Sequence, residues 1–532
     1  MEVTQLRRTP RLTVALVLAS AVVLSGCTAT NNGNEPGGTT VLKVAASAAV
    51  TTWNPVTSFS TEALYMGNVY ETLIWRNPDG AAEEFTPGLA ETWAASSDGL
   101  TWTFDIREGA TFHDGEPVNA EAVKLSIEAA KAKGGASFIW APLESIEATD
   151  EYTAVFHLSY AAPLDLIAAS TYGSWIVSPK ALAAADADEN YFEEGKDAGS
   201  GPFTVDSYTP GSSVVLKRYD DYWNKDALPY YSIVDIAITP DAVTSQQMLT
   251  SGEVDLATNI PLANVKTVAD SIGAEVRTSN SPFNFVALFN TTRPPLDDPM
   301  VRQALSYAVP YDDIIDVGAQ GYGTQSRAAV PKGIFPYSDD VPVYTQDLDK
   351  ARDLLAQAGH EGGGFDLVLT YASENSAEAN FVPLIKDAFA QIGVDVEVRG
   401  ELFNQQWENA KADPASAQDI FVLYYWPTYS DAGADNLWSL FHSSEAPFFN
   451  LSYWKNAQFD TMIDDAAVLS GSDRAAAQAK YIEAMNLLVD QAPAIFLYDT
   501  QAILVSPPDL NVGQFNENYP FTTFFAPITP AS

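Results

Sequence analysis

Residues 365–398 read FDLVLTYASENSAEANFVPLIKDAFAQIGVDVEV. Phe365 to Tyr371 is an apolar run of strand length. Phe381, Leu384, Ile385, Ala388, Phe389 and Ile392 then recur at the spacing of one helix face, Gly393 stops the helix, and Val394, Val396 and Val398 alternate as a strand does. A strand–helix–strand unit this compact favours parallel pairing through a right-handed crossover. The chain is therefore expected to be an α/β protein.

The flanking sequence agrees with that class. Asp347 to Gly359 predicts a helix with an Asp cap, Leu348, Ala351, Leu354, Leu355 and Ala358 inside, and a glycine stop. Trp102, Phe104 and Ile106 alternate with polar residues and predict a strand. Asn119 is placed to cap a helix from Ala120 to about Ala132, ended by Gly134-Gly135. Phe203 to Leu216 predicts a hairpin around Pro210-Gly211. Aromatic residues crowd Tyr424-Tyr425-Trp426 and again Trp438 to Phe441, as core or as site.

Composition excludes several functions. The 532 residues carry a net charge of −41. That surface repels phosphate backbones, so nucleic acid is no partner. The four histidines, His113, His157, His360 and His442, never lie three or four residues apart, and the chain has a single cysteine. No HExxH, GxSxG or phosphate-loop motif occurs, so no metal site, cofactor or catalytic residue is indicated. With 69 Asp and Glu, a glycosidase-type carboxylate pair stays open by counting alone.

The first segment reads as an address. Arg7, Arg8 and Arg11 precede the apolar run Leu12 to Val23, which is too short to span a bilayer. Leu24-Ser25-Gly26-Cys27 follows and resembles the bacterial lipobox, in which the cysteine receives a lipid and becomes the new N-terminus. Residues 1–26 are thus expected to be a signal peptide, Cys27 the lipidation site, and residues 27–40, which hold no large apolar residue, a flexible tether. The body is expected outside the cell, anchored to its membrane.

An ordered set of segments resembles the family 5 extracellular solute-binding proteins, the cluster C group of dipeptide, oligopeptide and nickel binders. The set comprises Leu89 to Trp93, Asp98 to Phe104, Arg107 to Gly115, Gly199 to Phe203, Tyr222-Trp223, Gly252 to Asp255, Phe289-Asn290, Pro299 to Ala308 and Ala492 to Tyr498. The resemblance implies a type II periplasmic-binding-protein-like α/β fold with two lobes, a hinge and an extra inserted subdomain. Lobe I would comprise 41–85, 200–289 and 499–532, the inserted subdomain 86–199, and lobe II 290–498. The chain would cross between lobes near Phe289-Asn290 and Leu497 to Asp499. The implied role is the binding component of an ABC importer, a monomer that is no enzyme. It would close on a small solute, a short peptide before an oligosaccharide or a nickel complex, and present it to the permease and ATPase. A secreted hydrolase would instead show turnover, and a chaperone or signalling receptor on this fold would need no permease.

In peptide-binding members an aspartate of the second lobe pairs with the peptide ammonium. The corresponding stretch here, Trp426 to Asn436, departs from the family pattern, because Ala-Gly stands where a proline follows the first aspartate. The resemblance puts Asp431 first and Asp435 second for that role, each with the alternative of capping a turn. Trp53, Asn54, Trp426, Tyr429 and Trp438 are the implied ligand-binding walls, with core packing as the alternative for the aromatic residues.

Overall fold

The computed structural model describes residues 39–193, 195–445 and 447–531. The expected signal peptide, most of the expected tether and the expected lipidation site Cys27 lie outside the described residues.

The opening stretch folds as its pattern dictates. Strand Phe365–Ala372 pairs in parallel with Val394–Glu401, in register from Phe365 opposite Val394 to Ala372 opposite Glu401. Helix Ser376–Ala390 joins them and buries Phe381, Val382, Ile385, Ala388 and Phe389. Asn375 caps it by accepting from the amides of Ala377 and Glu378. Gly393 has φ +81, and a Cβ there would lie 2.0 Å from the Gly362 carbonyl, so no other residue fits this return. The other local expectations are met. Asp347 caps Leu348–Gln357, Asn119 caps Ala120–Lys133, and Phe203–Thr209 pairs antiparallel with Ser213–Arg218.

Three sheets carry the fold. The first has five strands, in the order Leu256–Ala257, Val41–Ala46, Ile233–Ile238, Ser213–Arg218, Phe203–Thr209. The second is antiparallel, in the order Ala90–Ala95, Thr101–Ile106, Thr153–Leu158, Leu143–Ala148, and forms the inserted subdomain around its own core of Trp102, Phe104, Trp140 and Phe156. The third has six strands, in the order Gly323–Gln325, Ala494–Val505, Val276–Phe289, Ile420–Tyr425, Phe365–Ala372, Val394–Glu401. The first and third sheets are the foundations of two lobes with separate hydrophobic cores.

The strands Val276–Phe289 and Ala494–Val505 belong to both lobes. Phe285 to Phe289 and Ala494 to Tyr498 pack in the six-stranded core, whereas Val276, Ile503 and Val505 pack with Ala45, Leu249 and Val265. Their antiparallel register breaks between Asn280 and Asn284. Phe289, named above as a crossing, pairs with Ile420 inside the six-stranded sheet and is fully buried. The change of lobe falls instead at Ser281 to Phe283, opposite Asp499 to Gln501, because from Asn284 to Phe289 the strand pairs within the six-stranded sheet, with a second register shift between Phe285 and Val286.

Two glycine-dependent approaches fix the remaining geometry. A Cβ at Gly199 would lie 2.0 Å from the Val69 carbonyl, which explains the Gly-Ser-Gly-Pro segment as a close backbone approach. Gly471 sits in the turn between helices Ala457–Ser470 and Arg474–Gln491 of the second lobe. A Cβ there would lie 2.5 Å from the Ala162 amide of the inserted subdomain. Beside it Arg474 pairs with Glu84 at 2.6 Å and Asp165 at 2.7 Å, and Arg76 also pairs with Glu84. Gly471 has φ −80, so alanine suits its backbone and offends only the opposed surface. Gly471→Ala is therefore expected to keep its circular dichroism spectrum while the turn separates from the inserted subdomain, seen as a larger radius of gyration by small-angle scattering. An unchanged radius contradicts this reading of the contact.

Candidate ligand site

Strands Phe365–Ala372 and Ile420–Tyr425 run parallel, and the two long strands run antiparallel to their neighbours. The segments after Ala372 and Tyr425 therefore meet the Asn280 to Asn284 break and the Asp499 to Gln501 segment at one edge of the six-stranded sheet. Crevices outside the carboxyl ends of strands are the usual ligand seats of open α/β sheets. A cavity of about 290 Å³ lies there. Phe285, Tyr424 and Tyr498 present aromatic faces to it, and Leu262 reaches it from the first lobe. Asn375, Thr500 and Gln501 supply its amide and hydroxyl groups, with Tyr322 at the edge.

An aromatic strip continues from the cavity towards the first lobe. Phe283, at the register break, stacks on Tyr424 with ring centroids 5.2 Å apart and 13° between planes. Trp426 packs on Phe283 at 5.7 Å and on Phe521 at 5.3 Å. Alternation along the strand sends Tyr425 the other way, where its hydroxyl lies 2.7 Å from that of Ser439.

The structure divides the residues singled out from sequence. Trp426, Tyr429, Asp431 and Asp435 share one loop, and Trp426 alone faces the strip. Tyr429 is buried in the core of the inserted subdomain. Trp53 is buried in the first lobe's core between Tyr65 at 5.9 Å and Tyr208 at 5.2 Å. Asn54 folds a turn, its side-chain oxygen accepting from the Val56 amide and its carbonyl from Thr57 and Ser58. Trp438 is 48% exposed and stacked on His442.

The two aspartates are enclosed and engaged. Asp431 is 0% exposed; its Oδ1 accepts from the amides of Gly433 and Ala434, and its Oδ2 from the Ser470 hydroxyl at 3.4 Å. Asp435 Oδ2 accepts from the Thr428 amide, and the Thr428 carbonyl accepts in turn from Ser170 of the inserted subdomain. Both carboxylates thus brace the loop that carries Trp426. Phe283, Phe521, Asn375 and Gln501 escaped the sequence reading. The Tyr424-Tyr425-Trp426 run flagged the place, but only strand pairing tells which ring faces the cleft.

Asp499 sits at the lobe boundary, fully buried. It accepts from the Ser326 hydroxyl and from the Lys332 amide at 3.0 Å. Burial pushes Asp499 and Glu71 up to about 7, and Asp431 and Asp435 up to about 6. Among the described residues no group of His, Cys, Asp and Glu is placed to hold a metal ion, and no helix is long and apolar enough to cross a membrane.

Residues 84–448 match the bacterial extracellular solute-binding proteins, family 5, middle region, and the chain belongs to that family. It is similar to the glutathione-binding protein GsiB of Pectobacterium atrosepticum, 28% identical over 417 residues, which cover 77% of this chain and 79% of that protein. Among solved structures, the substrate-binding protein CtaP of Listeria monocytogenes covers 92% of this chain and 99% of its own with a TM-score of 0.81 at 24% identity. The binding protein DppA of Helicobacter pylori, in complex with the peptide STSA, covers 92% and 98% with a TM-score of 0.75 at 24% identity.

The raised carboxylates make a pH prediction. Their folded pKa values lie above the unfolded carboxylate range of about 4. The folded state therefore holds these protons more tightly than the unfolded chain does. Their contribution to stability is complete below about pH 4 and is lost as pH rises through about 6 to 7. The melting temperature is expected to fall between about pH 5 and about pH 8, and Asp499→Asn to flatten that slope. An unaltered slope in the variant removes Asp499 from this account.

Proposed function

We propose that this chain is the extracytoplasmic ligand-capturing component of an ABC importer for short peptides, tethered to the membrane through lipidated Cys27. One observation carries the reading. The cavity and its aromatic strip lie between two lobes, beside the two strands that join them. A ligand there contacts both lobes only when they are together, so binding favours the closed form and closure reports occupancy. The peptide and glutathione named for DppA and GsiB support the ligand class. The proposed lobes are those expected from sequence, with the first crossing moved to Ser281 to Phe283. The proposed cleft residues are Trp426, Tyr424, Phe283 and Phe521, while Asp431 and Asp435 hold the Trp426 loop. No turnover is expected of such a protein.

The full chain, unfolded and refolded to strip carried-over solute, is tested by thermal melts against dipeptides, glutathione, longer peptides, oligosaccharides and nickel complexes. A specific ligand at 100 times its dissociation constant stabilises by about 2.7 kcal/mol. Short peptides are expected to raise the melt. A rise with sugars or nickel complexes alone overturns the peptide assignment. Asp431→Asn keeps its shape and is expected to retain peptide affinity within about threefold; a loss above a hundredfold, some 2.7 kcal/mol, would instead mark a direct ion pair with the ligand.

A further inference from the structure

We propose that the cavity beside the lobe-joining strands is a subsite for an uncharged, apolar or aromatic ligand group, the side chain of a short peptide in the reading above, on which this deepening rests. No charged side chain is among its described lining residues; its walls are Phe285, Tyr424, Tyr498 and Leu262, with small residues Gly318, Ala319 and Ala377 between them. Two of its polar side chains, Asn375 and Thr500, are committed elsewhere. The Asn375 side-chain oxygen accepts from the amides of Ala377 and Glu378, and its Nδ2 donates to Glu378 Oε1. Thr500 Oγ1 donates to Ser281 Oγ at 2.9 Å and to the Phe283 carbonyl at 3.2 Å. Glu378, the carboxyl behind Asn375, is 1% exposed and also accepts from the Ala372 amide, so it offers no counter-charge to a guest.

A charged group entering such a site gives up water and finds no counter-charge among the described lining residues, which is costly. An apolar group gives up only unfavourable hydration. The size agrees: 290 Å³ stands at the lower end of small-molecule sites, which run from roughly 300 to 1,000 Å³. One further fact opposes a cationic guest from the loop side. Asp431 and Asp435, on the segment that follows Trp426, have oxygens already taken by Gly433, Ala434, Ser470 and Thr428. Gln501 is the remaining amide liner, half-buried at the edge. It is therefore the position at which one atom's change would reverse the preference.

The stripped full chain is titrated calorimetrically with Ala-Leu, Ala-Phe, Ala-Glu and Ala-Lys, and with benzyl alcohol, benzylammonium and benzoate as fragments that need no peptide reading. Ala-Leu and Ala-Phe are expected to bind at least tenfold more tightly than Ala-Glu and Ala-Lys, and benzyl alcohol more tightly than either ion. Gln501→Glu is expected to rescue Ala-Lys and benzylammonium while weakening Ala-Glu further. Selectivity among the fragments with no peptide binding would sink the peptide reading and leave the neutral subsite standing. Charged probes bound within threefold of neutral ones, an unchanged order in Gln501→Glu, or no binding by any probe overturns the subsite.

Discussion

The antiparallel pairing of Val276–Phe289 with Ala494–Val505 is the interaction on which the rest of the molecule depends. Each strand starts or ends in a different hydrophobic core, so two lobes that bury their surfaces separately are bound by one ribbon. A continuous ladder would make that ribbon stiff. It is interrupted at Ser281 to Phe283, where Thr500 bridges to Ser281 and Phe283 through its side chain in place of regular pairing. Few backbone bonds need to change there for the lobes to turn. The same interruption frees Phe283 to lean onto Tyr424, so the place that bends is also the place that builds the ligand wall.

Asp499 shows how closely the hinge is tied to the second lobe. Its buried carboxyl collects the Ser326 hydroxyl and the Lys332 amide, both from the segment following strand Gly323–Gln325. Burial makes the charged form unfavourable, and two donors offset only part of that. Replacing one donor would leave a buried oxygen unpaired, a costlier change than removing the whole group in favour of an amide.

What the sequence made legible was local. The strand–helix–strand unit at 365–398 announces itself through period, cap and stop within one stretch, and Asp347, Asn119 and the Pro210-Gly211 turn do the same. What stayed hidden depended on partners far along the chain. Trp53 reads as a cleft wall by position, yet Tyr65 and Tyr208 enclose it, the latter from a hairpin more than 150 residues away. Phe289-Asn290 marks the end of a strand, and only its pairing with Ile420 shows that the lobe boundary lies several residues earlier. Asp431 carries a local signal that suits a turn cap, with Gly433 and Ala434 in reach of its oxygen. Whether such an aspartate also serves a ligand depends on what stands opposite it in space, and no spacing rule contains that.

Closure poses the final energetic question. Arg474 of the second lobe pairs with Glu84 of the first lobe and Asp165 of the inserted subdomain, and these side chains are 23%, 46% and 13% exposed. The half-exposed Glu84 pair contributes at most about 1 kcal/mol, and the largely buried Asp165 pair gives back in desolvation much of what it gains. Shifting two states from 1:99 to 99:1 takes about 5.5 kcal/mol. The ion cluster therefore orients the lobes more than it holds them, and the larger share falls to the ligand. Burying one sizeable apolar ligand group would contribute about 1.5–3 kcal/mol, and hydrogen bonds from a ligand touching both lobes would have to supply the remainder. A neutral cavity at the bending point suits that division. It places a non-directional, area-dependent attraction beside the segment about which the lobes turn.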